Sequence, residues 1–140
     1  MTEQQAALIA AARAARAQAY APYSNFAVGA AVLDEHGRIH AGCNVENAAY
    51  PQGWCAEASA LAAMVAAGGR RVLAVAVCAQ TADAADAAAP VTPCGGCRQK
   101  LREFAAADCP IWVAGAQGLQ ASYTLGELLP HSFGPEHLAR

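Results

Sequence analysis

The sequence predicts one α/β domain, residues 1–140, in which helices cover a mixed sheet. Three observations carry that reading. Apolar runs of strand length (FAVGAAVL, RVLAVAVCA, PIWVAG) are interleaved with stretches rich in Ala, Arg and Gln, which favour helix. Glycine and proline punctuate the boundaries, at Pro22, Gly37, Gly68-Gly69 and Pro90. The length allows one proper core and not two.

Residues from about Glu3 to Tyr20 form the first expected helix, with Leu8, Ile9 and Ala12 on one side. Thr2 is placed to cap it, and Ala21-Pro22 to end it, because the residue before proline avoids the helical region. FAVGAAVL and RIHAGC flank Asp34-Glu35-His36-Gly37 and read as a hairpin. CNVENAAYPQGW is polar and irregular, a loop that leads into a helix from Cys55 to about Ala67, stopped by Gly68-Gly69. RVLAVAVCA, with three valines, reads as a buried strand, and TADAADAAAP as a low-complexity connector. PCGGC then opens a helix running to about Ala106, followed by the strand PIWVAG, a glycine-containing turn, the strand ASYTL and a polar end. No internal repeat is visible.

Composition narrows the function. Of the chain, 56% is hydrophobic, mostly as alanine, and no apolar run approaches the roughly 20 residues that cross a bilayer. A net charge of -2 offers no basic face for a nucleic-acid backbone. The expected partner is a small molecule or another copy of the chain. The opening MTEQQAALIAAARAARAQAY lacks the pattern of a secretory signal, so a reducing cytoplasm is expected. There, six cysteines (43, 55, 78, 94, 97 and 109) are better read as ligands or catalysts than as disulfides.

The stretch PVTPCGGCRQK leaves three readings open: a redox dithiol, half of a metal site, or a turn that happens to contain cysteine. WCAEASA shifts the balance. Cys55 also falls at the start of an expected helix, and Glu57 follows two residues later. Thiolates from Cys55, Cys94 and Cys97 would leave the fourth tetrahedral position of a zinc ion open, as catalytic sites do. Two helix N-termini favour the thiolate form at Cys55 and Cys94. Residues two apart in mid-helix point in different directions, but a side chain in the first turn can reach past the open end. Glu57 is therefore placed beside the metal as a proton carrier. Zinc activates water near neutral pH, and a carboxylate in reach can move the protons.

These motifs, together with YAPYSNFAVGAAV, GCNVENAAYP, PCGGCRQ and ELLPHSFGPEHL, resemble the small homotetrameric zinc-dependent cytidine deaminases, in order and over nearly the whole chain. Zinc deaminases as a class are known to carry the P-C-x-x-C element and the nearby Glu. The resemblance implies a three-layer α/β/α sandwich with a mixed central sheet of about five strands. It also implies hydrolytic deamination of cytidine and deoxycytidine in pyrimidine salvage. By the same resemblance Cys55, Cys94 and Cys97 hold Zn²⁺, and Glu57 is the general acid/base that protonates N3 and then the departing ammonia. Asn44 and Glu46 contact the ribose hydroxyls, Phe26 packs on the pyrimidine, and the backbone at Ala56 reads the base edge. Phe133 reaches the site of a neighbouring subunit, and Tyr50 lies at that boundary.

One departure stands out. Members commonly carry Arg directly after the Glu of CAE, hydrogen-bonded to the thiolates; here the residue is Ala58. Three thiolates on one Zn²⁺ leave net negative charge. Helix N-terminal amides, aided by Arg98, are expected to draw it off.

Each residue also has a plainer reading. Cys43, Cys78 and Cys109 are ordinary core residues, and His36, His40, His131 and His137 are surface or structural. Trp54 packs the helix entry or lines the pocket. Phe26 alone would be core and Glu46 alone a loop carboxylate. Rival functions are a deaminase for another aminopyrimidine nucleoside and a non-catalytic zinc module, which would need a fourth ligand and gives Glu57 no task. A nucleic-acid editing enzyme needs a basic channel, which nine Lys and Arg against eleven Asp and Glu do not supply.

Overall fold

Thr2 caps the first helix: its hydroxyl accepts the Gln5 N–H at 3.1 Å. The computed structural model describes residues 1–80, 89–115 and 117–138. Helix α1 spans Glu3–Arg16 and buries Leu8, Ile9 and Ala12, the side the sequence marks as apolar. It stops four residues before Tyr20. The reason is tertiary: the Tyr20 N–H donates to Asn44 O, and the Glu46 N–H donates to Tyr20 O, so this residue bridges to the following loop instead of continuing the helix.

Strands β1 (Ala27–Asp34) and β2 (Ile39–Cys43) form the expected hairpin, with Gly37 at φ 79° in its turn. After the loop come α2 (Ala56–Ala66) and β3 (Val72–Gln80). Gly68, at φ 97°, lets the chain leave α2. Most of the alanine-rich connector lies outside the described residues. Helix α3 (Gly95–Arg102) is shorter than expected, then β4 (Pro110–Gly115) and β5 (Gly118–Thr124) complete the sheet. A four-residue helix, α4 (Leu125–Leu128), opens the expected polar end. Its capping box, Thr124 with Glu127, is visible in TLGE.

The strand order is β2-β1-β3-β4-β5, with β3 and β4 parallel and the other neighbours antiparallel. Alternation along the strands gives the sheet two apolar faces. Ala31, Leu33, Ala74, Ala76 and Cys78 pack on α1. Ala30, Val32, Val75, Val77 and Ile111 pack on Ala56, Ala60, Leu61, Met64 of α2 and Leu101 of α3. The three-layer α/β/α sandwich with a five-stranded mixed sheet is thus as expected.

Two devices fix α2, the helix that matters most for function. At its N-terminal end the Ser59 hydroxyl donates to Cys43 O at 3.0 Å, and Gly42 of β2 allows the helix backbone to approach. At its other end, Arg38 donates to Ala67 O at 2.9 Å, while its Nε donates to the fully buried Asp34 at 3.0 Å. Asp34 also accepts from the His36 and Arg38 N–H groups and pairs with His40 Nε2 at 2.8 Å. His40 is therefore structural, and no polar capacity of Asp34 is wasted in the core.

Candidate metal and nucleoside site

Cys55 and Cys94 are the N-cap residues of α2 and α3, both with extended backbone. Neither side chain caps its own helix, so both sulfurs are free to meet in front of the two helix starts. They lie 4.0 Å apart, and the Cys97 sulfur, from the first turn of α3, joins them with all three within 4.8 Å of one another. A tetrahedral zinc with sulfurs at about 2.3 Å sets neighbouring sulfurs about 3.8 Å apart, so this donor set fits the ion. Among the described residues no fourth His, Cys, Asp or Glu joins the group. A closed structural site is not what these side chains build.

Electrostatics agree. Burial pushes the Cys97 thiol up, reinforced by the negative charge of Glu57, Cys55 and Cys94. Burial also raises Cys55. At Cys94 burial is outweighed by the Cys97 N–H and by the Cys97 and Cys55 side chains, which hold it below its ordinary value. Raised values keep the Cys55 and Cys97 thiols protonated on their own, and a divalent cation is what would let all three sulfurs bind as thiolates. All six cysteines are free, and Cys109, pushed up to about 12 by burial, is an inert core thiol.

Glu57 is only 4% exposed. Burial raises its carboxyl above the ordinary value, opposed by its own backbone N–H and by the charge of Lys100. Glu57 lies in the first turn of α2, two residues after the N-cap Cys55. Glu57 shares a cavity of about 300 Å³ with Phe26, Asn44, Glu46, Cys55, Ala56 and Cys94. Five of the expected contact and catalytic positions and two of the three expected metal ligands thus line one cavity, beside Val91 and Thr92.

Two of these side chains are engaged with their own chain. Asn44 Oδ1 accepts the Val28 N–H at 2.8 Å and its Nδ2 donates to Phe26 O at 2.9 Å. The Glu46 carboxylate accepts from the Tyr23 and Ser24 N–H groups at 2.9 and 3.1 Å and from the Ser24 hydroxyl. The Ser24 hydroxyl bond leads the causes that keep Glu46 below its ordinary value, with burial opposing. An amide offers four hydrogen-bonding sites and a carboxylate about four, so both retain capacity for a ligand. Ser24 was not singled out from sequence. It organises the site, since its hydroxyl also accepts the Phe26 N–H at 3.0 Å, and Asn25 at φ 57° turns the chain there. The turn-forming pair Ser24-Asn25 was the available signal.

Phe133 stands outside this cavity, 57% exposed and stacked on His137 with ring centroids 5.1 Å apart. Gln99 of α3 donates to its carbonyl at 2.9 Å. Tyr50 is 74% exposed beside the Tyr23 ring. Arg98 requires a correction. Its guanidinium donates to Pro93 O, Leu128 O and the Thr92 hydroxyl at 2.7, 2.8 and 2.7 Å, so it braces the turn before Cys94 and makes no hydrogen bond to the sulfurs. Two carbonyls and a hydroxyl match the planar five-donor fork of the guanidinium.

A three-thiolate centre with an open side, faced by a buried carboxylate in a small-molecule cavity, defines a zinc hydrolase. Comparison with known proteins narrows the class. The model for the cytidine and deoxycytidylate deaminase zinc-binding region matches residues 2–113. A cytidine deaminase of Sporosarcina psychrophila is 44% identical over 132 residues, 94% of this chain and 93% of the relative. One from Mycobacterium tuberculosis is 41% identical over 90% of this chain and 86% of its own. The crystal structure of cytidine deaminase from Burkholderia pseudomallei superposes with a TM-score of 0.82 at 44% identity, covering 95% of this chain and 100% of that one. The chain belongs to the zinc-dependent cytidine deaminase family. Zinc is accordingly the metal that its three-cysteine cluster is suited to hold.

Proposed function

We propose that this chain hydrolyses cytidine and deoxycytidine to the uridine product and ammonia, in cytoplasmic pyrimidine salvage. The observation that supports this most is the buried Glu57 on the wall of a cavity shared with Cys55, Cys94, Asn44 and Phe26. Cys55, Cys94 and Cys97 would hold zinc, which supplies Lewis-acid activation of water near neutral pH. Glu57 takes a proton from the attacking water and gives it to N3 of the pyrimidine, then takes the proton of the new C4 hydroxyl and delivers it to the amino group as ammonia leaves. Burial suits it to both directions, because a carboxyl raised towards the working pH both accepts and donates readily.

Phe26 packs on the pyrimidine face, and the backbone at Ala56 reads the base edge. Asn44 and Glu46 use their remaining hydrogen-bonding sites on the ribose hydroxyls. Among the described residues that line the cavity there is no Lys or Arg, whereas Glu46 and Glu57 are acidic. A substrate carrying a phosphate would meet repulsion there, so the reading is a nucleoside and not a nucleotide.

We extend the reading to a homotetramer with Phe133 completing a neighbour's site and Tyr50 at that boundary. Exposed Tyr20, Tyr23, Val45, Tyr50, Trp54 and Phe133 support it, because single chains seldom present that much apolar surface. So does the groove between α2 and α3, lined by Trp54, Ala58, Leu61 and Val65. No described helix is long and apolar enough to cross a membrane.

The test is ammonia release by the zinc-loaded protein from cytidine, deoxycytidine, free cytosine and cytidine monophosphate. Turnover of the two nucleosides, with the base and the nucleotide at least about 10²-fold slower in kcat/KM, is expected. Turnover of the nucleotide at the nucleoside rate would contradict the charge argument, and no turnover of any of them would remove the reading.

A further inference from the structure

With Arg98 hydrogen-bonded elsewhere, the helix N-terminal amides at Cys55 and Cys94 supply only partial positive charge to the centre. Three thiolates around a divalent ion carry a net negative charge, and the Glu57 carboxylate adds to it. Cys97 and Glu57 are buried, and there such an excess is costly unless a cation lies close by.

Lys100 lies where such a cation is needed. It sits one turn beyond Cys97 and Gly96 on α3, so its side chain runs back along the same face of the helix. Its stem follows the groove shared with Trp54 and Ala58. Its ammonium reaches Gly96, between the two α3 cysteines: a Cβ built on Gly96 would be 3.7 Å from Lys100 Nζ. Among the described residues this ammonium has no hydrogen bond and no ion pair. The position is unfavourable in one respect, because a cation over the first turn of its own helix faces the positive end of the macrodipole. An anion in front of that helix start would reverse the balance. The lysine charge is also felt by Glu57, which it favours in ionised form.

We propose that the Lys100 ammonium balances the negative charge of the Cys55, Cys94 and Cys97 metal centre. It stands in the role that the sequence assigns to Arg98 and that Ala58 cannot fill. The inference rests on the zinc reading above. Lys100 is exposed in the single chain, so there its effect is screened by salt, and it acts on the metal without touching it.

The test uses the full-length protein loaded with zinc or with cobalt(II), in the variants Lys100→Arg, Lys100→Met and Lys100→Glu. A cation near the sulfurs lowers the energy of their electrons. Removing it should move the thiolate-to-cobalt charge-transfer band to longer wavelength in Lys100→Met and further in Lys100→Glu, while Lys100→Arg matches the parent. Zinc affinity at low ionic strength should fall in the same order, by about threefold to tenfold for Lys100→Met, and the differences should shrink at about 1 M salt. An unmoved band and equal zinc affinities in all three variants, each binding one equivalent of metal, would overturn the proposal. Failure of the zinc reading itself looks different: the parent would bind no stoichiometric metal, or Cys97→Ser would bind it as well as the parent.

Discussion

Gly42 of β2 lies against Ala60 of α2 so closely that a Cβ on the glycine would fall 2.5 Å from the Ala60 nitrogen. This contact sets the distance between the sheet and the helix that carries Cys55 and Glu57. Gly42→Ala must push α2 outward, at a cost of about 1–3 kcal/mol for overpacking. Because the site hangs on the first turn of α2, kcat should fall in the folded variant as well. Urea unfolding and steady-state kinetics on the same sample check both. Parent-like kcat in a destabilised variant would show that α2 can shift without disturbing Glu57.

Glu46 already accepts three hydrogen bonds from Tyr23 and Ser24, so its substitution tests ribose recognition and loop order together. Glu46→Gln should raise KM for cytidine by roughly ten- to a hundredfold and flatten the preference for cytidine over its 2′,3′-dideoxy analogue. Zinc content should stay at the parental value. A raised KM with the preference intact would mean that Glu46 only orders the loop.

Asp34 links stability to pH. Burial alone would raise its carboxyl, but hydrogen bonds from His40, from the Arg38 and His36 N–H groups and from the Arg38 side chain hold it well below the usual carboxylate range. A depressed folded value means a contribution that is complete above the unfolded value, about 3.9, and lost as pH falls through the folded one. Asp34→Asn should therefore be less stable than the parent at pH 7, with a gap that narrows below about pH 4. Urea midpoints at several pH values measure it; a constant gap would place the role of Asp34 in packing alone.

Phe133 gives a test of assembly. If it completes a neighbour's site, then Phe133→Ala and Glu57→Gln proteins, each weakly active alone, should regain activity when unfolded together and reassembled. Hybrid tetramers would contain sites with Glu57 from one chain and Phe133 from another. Activity that stays at the mean of the two variants would place Phe133 outside any site.

Much of the fold was legible because alternating apolar patterns, Gly68 and the Thr2 cap are local signals. The α1 end was not, since a bridge from Tyr20 to Asn44 and Glu46 overrides helix-favouring composition. The cysteine spacing and Glu57 pointed to the centre because both helix starts are marked by what precedes them, a polar loop and Pro93. The place of Arg98 was not legible, for a geometric reason. Arg98 is adjacent to Cys97 in sequence, but the helix turns it towards Pro93 and Leu128, whereas Lys100 returns to the face of Gly96. Adjacency in sequence is a poor guide to facing on a helix.

The central claim is that Glu57 moves the protons of a deamination at a zinc centre held by Cys55, Cys94 and Cys97. The most direct measurement is uridine formation from cytidine by the zinc-loaded parent and by Glu57→Gln, with bound zinc determined in both. The account predicts turnover by the parent, a loss of about 10²-fold or more in kcat for the variant, and equal zinc in the two proteins. Turnover by Glu57→Gln at the parental rate, with its zinc in place, would contradict it.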